Sequence, residues 1–534
     1  MFRMKKLKTP LEAVRLKYDP PLPEILTDLT HCSIEGGSVT TSVADEAEIQ
    51  KFFPSTFGRK ILSCTKGALP GKCAPLRVGV MLSGGQAPGG HNVITGLFDA
   101  LKKLHSDSRL FGFLCGPIGI VDNKHVELTA EILADYRNTG GFDLLGSGRT
   151  KVKTDEQLAC SLKVIQDLKL DGLVIIGGEG SNAYCAVLAE YLLKHGCQTR
   201  VVGIPKTIDG DLQDGMLEVS FGFDTACKIY AELVGNIARD AISSKKYYHF
   251  IKLMGRSASH ITLECALQTH PNMALICEEI VAEGKDLEQI ADELAEMVYQ
   301  RSQQGKEYGV VLIPEGLIEF IPKMMELIKE LNPLLAKYPE SEIAAHLSEK
   351  SRAAFDFLPL QIRQQLLSDR DHHGNVKLSH IATEQLLIHA VKEKLKQKEG
   401  YKGQFTALSH FFGYEGRSGF PSNFDASYCY ALGHTAALLI QGGYTGYMAV
   451  VHHLGYHIED WKAGGIPITM LMSMDKRPVI KKTLVDIHEE PFIYFDYQRG
   501  RWAMEDDYRY PGPIQYDSSS LSEQPTFTLL LRRR

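Results

Sequence analysis

The sequence lacks the features that mark several large classes of protein. Its eleven cysteines include no Cys-x-x-Cys pair, so neither a zinc site nor a secreted disulfide framework is expected. No apolar run reaches the roughly 18 residues of a membrane-spanning helix, and the best candidate, 435–451, is interrupted by two glycines. The basic residues 1–18 lack the long apolar stretch of a secretory signal. These absences predict a cytosolic protein with free thiols and no membrane contact.

Charge and composition exclude a second group of functions. The formal net charge is −6, so there is no global basic field, and nucleic acid is not expected as a partner. Hydrophobic residues at 44% and charged residues at 23% are typical of folded globular chains. At 534 residues the chain exceeds what one hydrophobic core usually serves, which predicts two or more domains.

Glycine-rich loops follow two predicted strands. Residues 76–82 read as a buried strand, followed by a loop that contains Gly84 and Gly85 and then by a helix. This loop matches neither a P-loop nor a dinucleotide fingerprint, and it indicates either an anion-binding turn or a plain tight turn. Residues 170–178 repeat the pattern and lead into Glu179-Gly180-Ser181. Glu179 is either a magnesium ligand or an ordinary acidic residue in a first helical turn.

Residues 201–211 concentrate the most chemistry. An apolar run ending at Pro205 predicts a buried strand, and Lys206, Thr207, Asp209 and Asp211 follow it. In open α/β sheets ligands bind at the carboxyl ends of the strands. A cation, a hydroxyl and two carboxylates can hold a phosphoryl group, bind a metal and accept a proton. The alternative is a polar turn that only caps the next helix.

Further strand and helix alternation predicts parallel sheets and an α/β fold. A strand at 248–254 leads to Gly255 and Arg256, and a strand at 308–313 leads to Glu315. Arg149 follows Gly148 in a short glycine-rich segment, where a solvent-exposed arginine is the simpler interpretation. Residues 317–400 are helix-rich and charged, and predict an inserted helical subdomain with mostly solvated faces.

Taken together and in order, these motifs resemble the phosphofructokinase family, most closely its long pyrophosphate-dependent branch. The resemblance runs from about residue 76 to 475 and implies two similar three-layer α/β domains, one for the phosphoryl donor and one for the sugar phosphate. The domains expected from it are an N-terminal extension (1–75), a donor domain (76–223 with about 418–480), a sugar-phosphate domain (224–417, including the helical insert) and a C-terminal tail (481–534). The motifs that carry the resemblance are Ser83-Gly84-Gly85, Gly177-Gly178-Glu179-Gly180-Ser181, 205–211, Met254-Gly255-Arg256, Pro314-Glu315-Gly316 and Tyr414-Glu415-Gly416-Arg417.

The resemblance also implies roles for individual residues. Asp209 would be the base that takes the proton from the sugar 1-hydroxyl, with Lys206 and Arg149 stabilising the transferred group. Glu179 would hold Mg²⁺, and Thr207 and Asp211 would complete the substrate and metal site. The donor would contact Gly84, Gly85, Gly180 and Ser181, and fructose 6-phosphate would contact Met254, Gly255, Arg256, Glu315, Tyr414 and Arg417. Lys246 and Tyr247 match a segment that reaches a neighbouring subunit's site, which implies at least a dimer, or a hetero-oligomer with a paralogous subunit.

The identity of the donor stays open at this point. Lys206 matches the pyrophosphate branch, whereas ATP-dependent relatives have glycine there. That branch usually reads Gly-Gly-Asp-Asp-Ser, and this chain has Glu179-Gly180 instead of the two aspartates. Gly180 removes a like-charge block against the ATP α-phosphate. Pyrophosphate is the expected donor, with ATP as the first alternative and a non-catalytic regulatory subunit as the second.

Overall fold

The computed structural model describes residues 10–67, 73–148, 150, 152, 154–368, 370, 376, 380–512 and 525–532. These residues form two compact units. Unit 1 consists chiefly of residues up to 226 and of residues 415–483, and unit 2 chiefly of residues 227–414 and 484–512. None of the described helices is both long and apolar enough to cross a membrane.

The strands, in chain order, are β1 Cys32–Val39, β2 Lys60–Lys66, β3 Arg77–Leu82, β4 Arg109–Phe113, β5 His125–Leu128, β6 Gly172–Gly177, β7 Arg200–Thr207, β8 Phe221–Gly222, β9 Tyr247–Leu253, β10 Met273–Ala274, β11 Tyr308–Pro314, β12 Ala407–Phe412, β13 Tyr447–His452, β14 Lys462–Pro467, β15 Met472–Met474 and β16 Pro478–Ile480. The helices are α1 Pro10–Arg15, α2 Glu24–Thr27, α3 Glu46–Phe52, α4 Gly90–Leu104, α5 Pro117–Val121, α6 Ala130–Leu133, α7 Asp155–Asp167, α8 Glu179–Lys194, α9 Phe223–Ser244, α10 His260–Thr269, α11 Cys277–Glu283, α12 Leu287–Gln303, α13 Leu317–Phe320, α14 Pro322–Leu335, α15 Ile343–His346, α16 Glu349–Phe357, α17 Leu360–Ser368, α18 Thr383–Gln397, α19 Asn423–Gln441, α20 Glu490–Met504 and α21 Phe527–Arg532.

Unit 1 is built on a ten-stranded sheet in the order β1-β2-β14-β13-β7-β6-β3-β4-β5, with β8 paired to β7. Its centre is parallel, as the alternation of strands and helices predicts. Leu82 pairs with Ile176, and Gly177 pairs with Pro205, so β3, β6 and β7 end at the same edge of the sheet. This register brings the loops that follow the three strands together.

Two helices of unit 1 pack unusually closely, and glycine permits it. A Cβ atom on Gly96 of α4 would lie 2.4 Å from the carbonyl oxygen of Tyr430 on α19. A Cβ atom on Gly433 of α19 would likewise lie 2.4 Å from the carbonyl oxygen of Val93. Since both distances are below any real carbon contact, larger side chains at either glycine would push the helices apart.

Unit 2 contains a four-stranded parallel sheet in the order β10-β11-β9-β12. The amphipathic helix predicted around 287–297 is confirmed as α12, which begins after the side-chain cap Asp286 and buries Leu287, Ile290 and Leu294. The helical insertion is confirmed as well, as α13 to α18. Its faces are not mostly solvated, because Leu331, Leu387 and neighbouring apolar residues enter the core that covers the sheet.

Chain segments outside the family motifs also belong to the two cores. Strands β1 and β2 extend the sheet of unit 1. Helix α20 lies in unit 2, where Phe495 and Trp502 are buried. Residues 484–512 therefore contribute a packed helix to unit 2.

Candidate functional site

The loop after β3 is fixed against the segment that precedes Arg149. Ser83 forms a parallel bridge with Gly148, and the amide of Gly84 donates to the Gly148 carbonyl oxygen at 3.0 Å. Gly84 has φ +85°, a conformation that favours glycine. Because the Gly84 N–H is already bonded, an anion here would depend on later amides of the loop, beginning with Gly85. Arg149 itself lies outside the described residues.

The loop after β6 opens helix α8. Gly178 is the N-cap, and Glu179, Gly180 and Ser181 form the first turn, where helix amides favour an anion. The Ser181 hydroxyl donates to the Ser83 hydroxyl oxygen at 2.8 Å, which ties this turn to the loop after β3. A Cβ atom on Gly180 would meet no other atom within 4 Å. The position therefore has room for a larger side chain.

The end of β7 differs from the sequence prediction. Pro205 does not end the strand, because Lys206 and Thr207 pair with Phe221 and Gly222 of β8. The additional pairing holds Lys206 rigidly, and its side chain is nearly buried, with 6% exposed. Its ammonium nitrogen would lie 3.5 Å from a Cβ atom on Gly84. Lys206 is thus directed at the loop after β3, where glycine leaves space.

Thr207 organises the loop that follows β7. Its hydroxyl oxygen accepts the amide of Asp209 at 3.0 Å, and the hydroxyl donates to Oδ1 of Asp211 at 3.2 Å. Asp211 is buried, whereas Asp209 is half-buried. One side chain therefore sets the position of both carboxylate residues of the motif.

A residue that the motifs did not indicate completes this group. The ammonium nitrogen of Lys482 lies 3.3 Å from a carboxylate oxygen of Glu179 and 3.3 Å from one of Asp211. Lys482 follows the short strand β16, more than 200 residues further along the chain, in the segment expected to be a tail. A Lys-Lys-Thr sequence after a short strand carries no signal of a site.

The electrostatics of the pair of carboxylates follow from burial and from this lysine. Burial raises the pKa of the Glu179 carboxyl above its ordinary value; the Lys482 ammonium opposes that shift, and the Asp211 carboxylate adds to it. Burial lowers the pKa of Lys482, but Asp211 and Glu179 outweigh it, so the net direction is upward. The group therefore favours a cation between the two carboxylates.

The donor set fits a magnesium ion that arrives with a phosphate ligand. Mg²⁺ is usually held by one or two carboxylates together with substrate phosphates. Glu179 and Asp211 are close enough for a single ammonium to contact both. Nowhere in the described ranges do three or more His, Cys, Asp or Glu side chains form a group that could hold a metal. A metal at Glu179 and Asp211 would complete its coordination with oxygen atoms of a substrate or of water.

A second set of predicted residues meets in unit 2. The carboxyl ends of β9 and β11 are neighbours, and the amide of Gly255 donates to a carboxylate oxygen of Glu315 at 3.2 Å. Glu315 is buried, and Met254 is buried beside Gly413. Arg256 is half-buried and contacts Glu319 at 3.3 Å. A cation and a carboxylate at one sheet edge can bind a phosphorylated, hydroxyl-bearing ligand.

The remaining predicted residues lie at both ends of this sheet: Tyr414 follows β12, whose Phe412 pairs with Leu253 at the same edge, whereas Lys246 and Tyr247 lie at the other end of β9. Tyr414 and Arg417 begin and end a short 3-10 helix after β12, and the Tyr414 side chain is 64% exposed. Lys246 and Tyr247 lie at the opposite end of β9 from Met254, and both are exposed. A strand of this length separates its ends by roughly 20 Å. Lys246 and Tyr247 therefore do not join the Met254 group of the same chain.

Comparisons with known proteins agree with this architecture. A sequence model of the phosphofructokinase family matches residues 77–440. The chain is 48% identical over 546 residues to the pyrophosphate–fructose 6-phosphate 1-phosphotransferase of Porphyromonas gingivalis, covering 98% of this chain and 99% of that protein. It is 48% identical over 554 residues to the protein of the same name from Treponema pallidum (strain Nichols), with 98% and 97% covered.

A solved structure supports the fold independently. The crystal structure of a pyrophosphate-dependent phosphofructokinase from Nitrosospira multiformis superposes with a TM-score of 0.56 at 16% identity, covering 82% of this chain and 93% of that one. This likeness confirms the predicted phosphofructokinase-type α/β architecture. With the family match over most of the length and close relatives over nearly all of it, the chain belongs to the phosphofructokinase family.

Proposed function

We propose that this chain transfers a phosphoryl group reversibly from pyrophosphate to the 1-hydroxyl of fructose 6-phosphate, giving fructose 1,6-bisphosphate and phosphate. The observation that carries the proposal is the cluster at one edge of the unit 1 sheet, where Glu179 follows β6, Lys206 lies near the end of the adjacent strand β7 and Asp209 and Asp211 follow it. The names of the relatives, which match nearly the full chain, support the same reaction.

Asp209 is the base of this reaction. The sugar 1-hydroxyl gives its proton to the Asp209 carboxylate while its oxygen attacks the terminal phosphorus, and the bridging P–O bond breaks to release phosphate. A positioned base of this kind contributes about 10²–10⁴-fold to the rate. The hydrogen bond from the Asp209 amide to Thr207 keeps the base in place. In the reverse direction the protonated Asp209 returns the proton to the departing sugar oxygen.

The donor lies against the glycine loops. Lys206 stabilises the charge between the two phosphates, and its burial excludes water from that contact. Gly85, Gly180 and Ser181 line the donor, together with Gly84, whose lack of a side chain leaves room beside Lys206. Arg149 contacts the transferred group. Pyrophosphate is favoured over ATP because Lys206 occupies this position.

Glu179 and Asp211 hold the magnesium ion. When bound, Mg²⁺ neutralises charge on the phosphate oxygens. The protein's own contribution is to bring the two carboxylates within reach of one cation, as their shared contact with Lys482 illustrates.

The sugar phosphate binds through Met254, Gly255, Arg256 and Glu315 of unit 2, and the family resemblance adds Tyr414 and Arg417 as further contacts. Lys246 and Tyr247 serve the site of a neighbouring subunit, because they lie at the far end of β9 from Met254. The proposed active form is at least a dimer, either of identical chains or with a paralogous subunit. The eleven cysteine thiols of the chain suit the reducing cytosol.

Initial rates with fructose 6-phosphate and magnesium, compared for pyrophosphate and ATP through kcat/KM, test the reaction. We expect a preference for pyrophosphate, and Asp209→Ser should lower kcat at least 100-fold while fructose 6-phosphate still binds. Asp460→Ser, at an exposed position of the same unit, is the control. A preference for ATP would overturn the donor assignment, and no activity with either donor would favour a regulatory subunit.

A further inference from the structure

Lys482 occupies a defined place in the donor site. Its ammonium nitrogen contacts both Glu179 and Asp211, each at 3.3 Å. The Asp211 side chain is 5% exposed and that of Lys482 is 39% exposed. Lys482 thus reaches from the surface to a nearly buried carboxylate and bridges it to the first residue of α8.

The backbone around Lys482 is fastened to the loop that carries Asp211. The amide of Thr483 donates to the Asp211 carbonyl oxygen at 2.9 Å, and the Thr483 hydroxyl donates to the Gln213 carbonyl oxygen at 2.5 Å. On the other side, the amide of Lys481 donates to the Leu471 carbonyl oxygen at 3.0 Å. These bonds on both sides fix the point from which the Lys482 side chain extends.

The Glu179 and Asp211 carboxylates lie close enough for one ammonium to contact both, and a cation between them offsets their mutual repulsion. The Lys482 ammonium takes that place in the structure. A divalent ion bound by the same two carboxylates would occupy the space that the ammonium now takes, and the two positive charges would repel each other. The flexible four-carbon stem of lysine lets its charge move to another acceptor, such as a phosphate oxygen.

We propose that Lys482 is a positioning residue that holds the cation site between Glu179 and Asp211 in the free enzyme and keeps free divalent metal out of it. Glu179 and Asp211 would hold a metal ion that comes with the phosphate donor, and the displaced Lys482 ammonium would bind the donor's oxygens. The identity of that donor rests on the proposed function. If Lys482 formed only a structural salt bridge, removing its charge would leave the metal affinity unchanged or would lower it.

Binding of Mn²⁺, as a spectroscopic substitute for Mg²⁺, can be measured on the full chain by electron paramagnetic resonance without any substrate. Lys482→Met keeps the length of the side chain and removes its charge. This variant should bind Mn²⁺ roughly tenfold more tightly, because the two partly exposed ion pairs of Lys482 no longer compete with the metal for the carboxylates. Lys482→Arg should bind Mn²⁺ as the wild type does. Lys481→Met, at the exposed neighbouring position, is the matched control.

An unchanged or weaker Mn²⁺ affinity in Lys482→Met would overturn the proposal. If the methionine variant does not fold, the same Mn²⁺ titration can be made on Lys482→Gln. In kinetic assays, inhibition by excess free Mg²⁺ should appear in Lys482→Met at about one tenth of the wild-type concentration, which follows from the same tenfold gain in affinity. Because the Mn²⁺ titration contains no donor, it decides the role of Lys482 even if pyrophosphate proves not to be the substrate.

Discussion

Replacing Thr207 by valine tests whether one hydroxyl positions Asp209, the proposed catalytic base. The two side chains have nearly the same shape, so the substitution removes the hydroxyl and little else. It breaks the hydrogen bond from the Asp209 amide at 3.0 Å and the hydrogen bond to Asp211 at 3.2 Å. Serine keeps both bonds and loses only a methyl group.

The expected size of the effect follows from these two bonds. A hydrogen bond to a neutral partner contributes about 0.5–1.5 kcal/mol and one to a charged partner about 1.5–3 kcal/mol. Thr207 is half-buried, so water replaces part of what is lost. We therefore expect the activation free energy to rise by about 2 kcal/mol when Asp209 is less well positioned, which corresponds to about a 30-fold fall in kcat.

The assay is kcat at saturating pyrophosphate and fructose 6-phosphate, with the thermal midpoint measured to confirm folding. Thr207→Ser should stay within about threefold of the wild type, since its hydroxyl can make both bonds. Thr30→Val is a matched control, because it also removes a hydroxyl bonded to a carboxylate, that of Asp28, in an exposed turn. A folded Thr207→Val enzyme with kcat within twofold of the wild type would refute the reasoning.

Two further predictions concern the donor and the subunit arrangement. Gly180→Asp should fold normally, since no atom lies within 4 Å of its Cβ position. It should weaken ATP as donor or competitor while leaving the pyrophosphate rate within a few-fold; unchanged ATP binding would contradict the expectation that Gly180 removes a like-charge block against the ATP α-phosphate. Asp209→Ser and Lys246→Ala chains, each inactive alone, should recover about a quarter of wild-type activity when mixed in equal amounts, if each site takes residues from both chains of a dimer. No recovery would indicate that each site is built from one chain.

The parts of the site that were predictable from sequence lie within a few residues of a strand end. Buried runs such as 172–177 show where the parallel strands are, and the carboxyl edge of such a sheet gathers the loops that follow them. Glu179 and Asp211 could therefore be expected at one edge before any coordinates were known. Periodicity could not predict where β7 ends. The strand continues through Thr207 because a two-residue strand, β8, pairs with its end.

Contacts between distant segments were not predictable, for a physical reason. Lys482 reaches Glu179 and Asp211 because β15 and β16 pair and the next residues bond to the Asp211 loop. None of those interactions leaves a periodic pattern in the sequence. The same holds for the helical insert, whose charged composition suggested solvated faces although residues such as Leu387 are fully buried. Composition gives the average polarity of a helix, whereas packing depends on the polarity of one of its faces.

The charges described at the donor site explain why Lys482 matters for a polyanionic substrate. Among the residues placed there, two ammonium groups, Lys206 and Lys482, face three carboxylates, Glu179, Asp209 and Asp211. The whole chain adds no attraction, since its formal net charge is −6. The carboxylates of Glu179 and Asp211 would repel bare pyrophosphate, whereas a magnesium complex carries compensating charge with it. A lysine that closes the carboxylate pair until such a complex arrives therefore selects the metal-bound donor over either component alone.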